Sequence, residues 1–185
     1  MSAGAARRSA LLALLLALGG CAGVREALAP APQGEPSSRE GWVFYTVGAL
    51  RFEAPAAWGA SGGPRHLKLV SADEGARLEV STPEEPFASS EACLADAQAL
   101  MKKGDAMERA RRHPTRLAGL PAQTLEGDQG AWHVWAWAAC DGGTQYQLFL
   151  TARSPAPREV IDAVRALEGA RIQRPVALAH RGDRT

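Results

Sequence analysis

The stretch AWHVWAWAACDGGTQYQLFLTAR, residues 131–153, restricts the fold more than any other part of the chain. Two runs of strand-forming residues flank Asp141-Gly142-Gly143. Aspartate and glycine adopt the positive φ values that a tight hairpin turn needs. The runs therefore predict two long antiparallel strands. Side chains alternate across a strand, so Trp135 and Trp137 share a face with His133 while Trp132 points the other way. Ala136 and Ala138 leave space on the opposite face for a helix to pack closely.

Other segments repeat the two-residue period. In GWVFYTVGALRFEAP, two apolar runs meet at Val47-Gly48, and Leu50 and Phe52 alternate with Arg51 and Glu53. Pro55 and the Ala56-Ala57-Trp58 that follows end this pair. In RHLKLVSADEGARLEVST, Leu67 and Leu69 alternate with His66 and Lys68, Leu78 and Val80 alternate with Arg77 and Glu79, and Ala72–Gly75 is the turn. Short strands are expected near Met107–Arg112 and through Gln123–Glu126, with a turn at Gly119–Pro121. A final strand is expected at ARIQ.

Two segments have helical spacing. Residues 89–104 open on Ser89 or Ser90, which can accept from a free backbone N–H, and close on Lys102, Lys103 and Gly104. Cys93, Leu94, Ala97, Leu100 and Met101 share one face. The second helix starts near Ser154-Pro155. Its expected buried stripe is Val160, Ile161, Val164 and Leu167, and Gly169 ends it. This order predicts an α+β fold, an antiparallel β-sheet flanked by two main helices. It covers a single domain over residues 41–173, followed by a polar tail over 174–185.

The N-terminus supplies an address. Arg7 and Arg8 precede an uncharged, leucine-rich run from Ser9 to Gly20. A basic start followed by roughly 7–15 apolar residues has the form of a secretory signal. It is shorter than the ~20 residues of a membrane-spanning helix. The run ends in Leu18-Gly19-Gly20-Cys21, which resembles a bacterial lipobox. The resemblance implies that residues 1–20 are a lipoprotein signal peptide and that Cys21 carries diacylglycerol, with palmitate-like chains holding the protein to the membrane. Ala22, in place of an aspartate, implies the outer membrane, with the domain facing the periplasm. Residues 21–40 are rich in Ala, Pro, Ser and Gly and are expected to be a flexible tether. Cys93 and Cys140 remain, and in an oxidising compartment they are expected to form a disulfide.

The motif order adds a second resemblance. LRFEAPAAW is followed by LKLV…LEV, a helix opening with Ser-x-Glu, the LAGLPAQTLEG segment, two long strands and a closing amphipathic helix. This is similar to the PsbP-like α/β/α sandwich over residues 41–173. The resemblance implies binding or assembly roles without shared catalytic residues.

Charge and motifs narrow the function classes. Removal of Arg7 and Arg8 leaves 19 of the 21 basic residues against 20 acidic ones. That balance is no footprint for nucleic acid. The histidines at 66, 113, 133 and 180 lack metal-ligand spacing, so no metal or other cofactor is expected. No G-x-S-x-G or Walker loop occurs, and no enzyme activity is expected. Three features invite a binding site. Trp135 and Trp137 form either an aromatic platform for a glycan or part of the core, and packing is the favoured expectation. Arg109, Arg111, Arg112 and Arg116 form either an anion site or a solvated strand face, and the solvated face is favoured. Arg181-Gly182-Asp183 spells an adhesion tripeptide in the tail and is taken as chance. The leading expectation is a lipid-anchored, non-catalytic envelope protein that contacts another envelope protein. The alternative is a periplasmic binder of a glycan or small molecule.

Overall fold

The computed structural model describes residues 32–104 and 107–173. The signal peptide, Cys21, His180 and the tail from 174 to 185 lie outside the described residues. The elements are β1 (Glu35–Pro36), β2 (Trp42–Val47), β3 (Leu50–Pro55), β4 (Gly59–Gly63), β5 (His66–Val70), β6 (Ala76–Ser81), α1 (Ser90–Lys102), β7 (Glu108–Leu117), β8 (Leu120–Gln129), β9 (Trp132–Asp141), β10 (Thr144–Arg153), α2 (Arg158–Glu168) and β11 (Arg171–Ile172). The fold is α+β, and its strands pair antiparallel throughout.

The strands divide into two sheets. The larger has seven strands in the order β4-β5-β6-β10-β9-β8-β7. The smaller has four, in the order β1-β2-β3-β11. The predicted hairpin of residues 131–153 lies inside the large sheet as β9 and β10, paired from Asp141–Thr144 to Trp132–Arg153. Its turn is Gly142-Gly143. Gly142 has φ +59°, and a Cβ on Gly143 would come within 2.1 Å of the Phe87 carbonyl oxygen. Both positions therefore require glycine.

The two faces of the large sheet are covered differently. One face presents Leu67, Leu69, Leu78, Val80, Trp135, Trp137, Leu148 and Leu150 to the main core. Tyr45, Val47, Leu50 and Phe52 of the small sheet complete that core, with Val160, Ala163 and Leu167 of α2. Trp58 fixes α2 from its N-terminal end, its indole Nε1–H donating to Glu159 Oε1 at 2.5 Å. The other face carries Ala136 and Ala138, onto which α1 packs Ala97 and Met101. Alanine keeps that surface flat, so the helix backbone approaches closely. Ser89 caps α1 by accepting from the Ala92 N–H.

The bond between Cys93 and Cys140 joins α1 to β9, with the Cα atoms 6.1 Å apart. Both cysteines are buried. Beside it, fully buried Gln145 of β10 donates its side-chain amide to the Cys93 carbonyl and to Asp96 Oδ2, at 3.2 and 3.1 Å.

Several boundaries differ from expectation. The tether was expected to run to residue 40, but Glu35–Pro36 within it form a strand. β1 pairs with β2, Arg51 Nη2 bridges Glu35 at 2.9 Å, and Ser37 Oγ–H donates to Glu53. The segment Gly59–Gly63 forms β4 although it has no apolar alternation, because an edge strand needs only its backbone to pair. β7 runs through Pro114 without a break, since the edge position leaves proline's missing N–H without a required partner. Ala118 and Gly119 both have positive φ and turn the chain into β8. α2 begins at Arg158 rather than beside Ser154, and its fully buried stripe is Val160, Ala163 and Leu167, with Ile161 and Val164 at the margin.

The disulfide closes a separation of 47 residues. In the chain-entropy treatment such a closure stabilises the fold by about 4 kcal/mol. The double replacement Cys93→Ala with Cys140→Ala is expected to lower unfolding free energy by about 2–4 kcal/mol in urea titration. Thiol labelling of the unfolded, unreduced protein is expected to find neither cysteine free.

Candidate functional site

Of the sites singled out in the sequence, the tryptophan platform is not formed. Trp135 and Trp137 are 8% and 6% exposed and pack in the main core. The inward face of β9 is covered, so these rings offer no surface to a glycan. Their role is to fill volume between the large sheet and the layer over it.

The arginine cluster is committed internally. Arg109 Nη2 lies 2.8 Å from Asp128 Oδ2, and Arg111 Nη2 lies 3.2 Å from Glu126 Oε1. Arg116 donates to the Gly119 carbonyl at 2.8 Å, and Arg112 is also engaged within the molecule. A bulge between Glu108 and Arg111, with Arg109 at φ +54°, turns these side chains toward the carboxylates. Two of the four guanidinium groups, Arg109 and Arg111, are thus paired with carboxylates of β8 while standing largely in solvent.

His133 lies at the centre of this network. Its Nδ1 is 2.5 Å from Asp128 Oδ1 and its Nε2 is 3.2 Å from Glu126 Oε1. The Trp135 ring lies 4.3 Å away, tilted by 60°. Hydrogen bonding to His133, with help from the Arg109 charge, holds the Asp128 carboxyl below its ordinary value despite burial. An aspartate–histidine pair is a familiar base for catalysis, but here the second ring nitrogen is occupied by Glu126. No hydroxyl or thiol lines the surrounding hollow of Arg109, Ala110, Arg111, Glu126, Gly127, Asp128 and His133. The two carboxylates approach opposite edges of the ring, so they do not converge on a metal. Among the described residues no group of three or more His, Cys, Asp or Glu side chains could hold one. The arrangement closes the end of the core where the apolar side chains of β8 and β9 give way to polar ones.

The surface open to a partner lies on the other face. α1 packs on β8, β9 and the adjoining part of β10. Beyond it, no element among the described residues covers the α1 face of β5, β6 and the far half of β10. The pairing register places three rows across it. One row is Val70, Arg77, Thr151 and Val134. The next is Lys68, Glu79, Phe149 and Ala136, and the third is His66, Ser81, Gln147 and Ala138. Phe149 is 45% exposed and is the one large hydrophobic side chain standing out from the surface among the described residues. At the far end Arg153 lies over the Trp132 ring, 5.8 Å from its centroid. Lys68, Arg77, Trp132, Thr151 and Arg153 line a shallow hollow of about 550 Å³. Nearer α1, a second hollow of about 480 Å³ runs beside Phe149.

The sequence held a signal for this surface. Gln145, Gln147, Phe149, Thr151 and Arg153 share the polar face of β10, and Phe149 is the large apolar exception.

No protein-family model and no curated protein matches this sequence. Solved structures overlay it in part. Cyanobacterial PsbP (CyanoP) from Synechocystis sp. PCC 6803 does so with TM-score 0.48 and 12% identity, over 78% of this chain and all of that one. LpqN, involved in cell envelope biogenesis of Mycobacterium tuberculosis, does so with TM-score 0.47 and 14% identity, over 77% of this chain and 91% of that one. A protein from Bacteroides thetaiotaomicron VPI-5482 gives 0.48 at 10% identity, over 72% of this chain and 48% of that one.

Two outcomes are expected. Trp137→Ala should cost about 3–5 kcal/mol in urea titration, the range for an aromatic removed from a core. The Asp128 carboxyl titrates below the ordinary aspartate range when folded, so its ion pairs stabilise the fold above that range and are lost as pH falls through the lower folded value. The wild-type urea midpoint should therefore fall more steeply below about pH 4 than that of Asp128→Asn.

Proposed function

We propose that this protein is a non-catalytic, lipid-anchored accessory of the cell envelope that contacts another envelope protein through the uncovered half of its large sheet. The observation that carries the proposal is the patch of exposed Arg77, Phe149 and Arg153 with half-buried Trp132 on the face beyond α1. Aromatic and arginine side chains are enriched where proteins meet, because they bring large contact area and directional charge together. The placement in the envelope is supported by the Leu18-Gly19-Gly20-Cys21 motif and by a disulfide suited to an oxidising compartment. No helix among the described residues is long and apolar enough to cross a membrane. Attachment through acyl chains on Cys21 would hold the domain at a bilayer instead. Ala22 favours the outer membrane, with the domain on the periplasmic side.

The test is site-directed photo-crosslinking in intact cells. A crosslinking residue in place of Thr151, in the middle of the open face, is expected to capture one envelope protein reproducibly. The same residue in place of Glu168, on the exposed side of α2, should not capture it. Cys21→Ala, which releases the chain from the membrane, is expected to reduce the capture. Equal capture from both positions, or none from Thr151, would remove the open face as the contact surface.

A further inference from the structure

We propose that the groove between α1 and Phe149 is a binding site for a free single-chain lipid with an anionic headgroup. It goes beyond the protein contact proposed above and uses the part of the same face nearer α1, where Phe149 belongs to both. The groove follows from the register. Leu125, Ala136 and Phe149 are neighbours across β8, β9 and β10, and α1 places Leu100 and Met101 beside them, with Met107 just after it. Ala136 is the smallest member of that row, so a cleft remains between the Phe149 ring and the helix. The cleft encloses about 480 Å³, within the range of sites that take small molecules. Its apolar lining includes two methionines, whose flexible thioethers adapt to an unbranched chain.

The rim selects the headgroup. Lys103, just past the end of α1, lines the mouth, with His66 on the facing strand β5. Lys103 forms no ion pair among the described residues. The one acidic side chain lining the groove among the described residues, Glu79, is bridged by Arg77 at 3.7 Å. An apolar slot with unmatched positive charge at its mouth suits a chain bearing a carboxylate or phosphate. A neutral amphiphile would leave that charge unanswered, and an anion without a chain would leave the slot empty.

The test uses the full chain carrying Cys21→Ala, purified without detergent and titrated by calorimetry with laurate below its micelle concentration. Saturable binding of one laurate per chain is expected, with dodecyl maltoside several-fold weaker and acetate silent. Phe149→Ser should weaken laurate binding about tenfold, the loss expected for half of a buried phenylalanine contact. Lys103→Gln should weaken it about threefold and leave dodecyl maltoside unchanged. Phe149 is already exposed, so the first variant should keep the wild-type circular dichroism, and Lys103→Gln gives an independent arm. Absence of saturable laurate binding would overturn the site, as would an unchanged affinity in Phe149→Ser. Association only with anionic phospholipid vesicles would assign the face to a bilayer surface and overturn it too. Protein capture at Thr151 without laurate binding would remove this site and keep the contact surface, whereas laurate binding without capture would do the reverse.

Discussion

The attachment of α1 to one half of the large sheet governs the usable surface of this protein. The disulfide from Cys93 to Cys140 and the hydrogen bonds from Gln145 hold the helix over β8, β9 and the near end of β10. Dimensions decide the consequence. A sheet of seven strands spans about 29 Å across its strands. A helix is about 10–12 Å wide, so one helix covers only two or three of them. With α1 fixed on that side, the face of β5 and β6 stays open. The Phe149 ring and the Trp132–Arg153 pair are exposed because nothing else in the described fold reaches them.

The same strand carries both faces of this arrangement. β9 sends Trp135 and Trp137 to one side and Ala136 and Ala138 to the other. Large rings fill the deep space between the two sheets and α2. Small side chains let α1 approach and leave the cleft beside Phe149. His133 marks the place where the aromatic face runs out. There the register brings Asp128 and Glu126 alongside it, and the bulged end of β7 adds Arg109 and Arg111. A group of charges that suggests chemistry in the sequence therefore acts as a closed, mutually satisfied border of the core.

The sheet edges explain why some elements were legible and others were not. Alternation announced β5, β6, β9 and β10 because each buries one face against the main core. β4, with the sequence GASGG, buries almost no side chain and pairs by backbone alone, so no pattern marks it. β1 is held by a bridge from Arg51 and a hydroxyl contact to Glu53, both distant in sequence. The short strand expected near Met107–Arg112 continues through Pro114, because an edge strand tolerates proline. The bulge, the proline and the surrounding arginines also guard that edge against further pairing. The start of α2 is expected beside Pro155, whereas the structure puts the first helical turn after Pro157.

Local spacing made the strand period of the central hairpin and the helix that carries Cys93 legible in the sequence, and it favoured core packing of Trp135 and Trp137 and a Cys93–Cys140 pair, both of which the fold contains. Its short N-terminal motif also set the expectation of a lipid anchor. Only the three-dimensional arrangement shows that the strands split into two sheets, that Arg109 and Arg111 pair with Asp128 and Glu126, and that Phe149 and Trp132 lie on a face left uncovered among the described residues. Those outcomes depend on which residues stand opposite one another across strands and on how far one helix reaches over a wide sheet. Neither quantity is a property of any single segment of the chain.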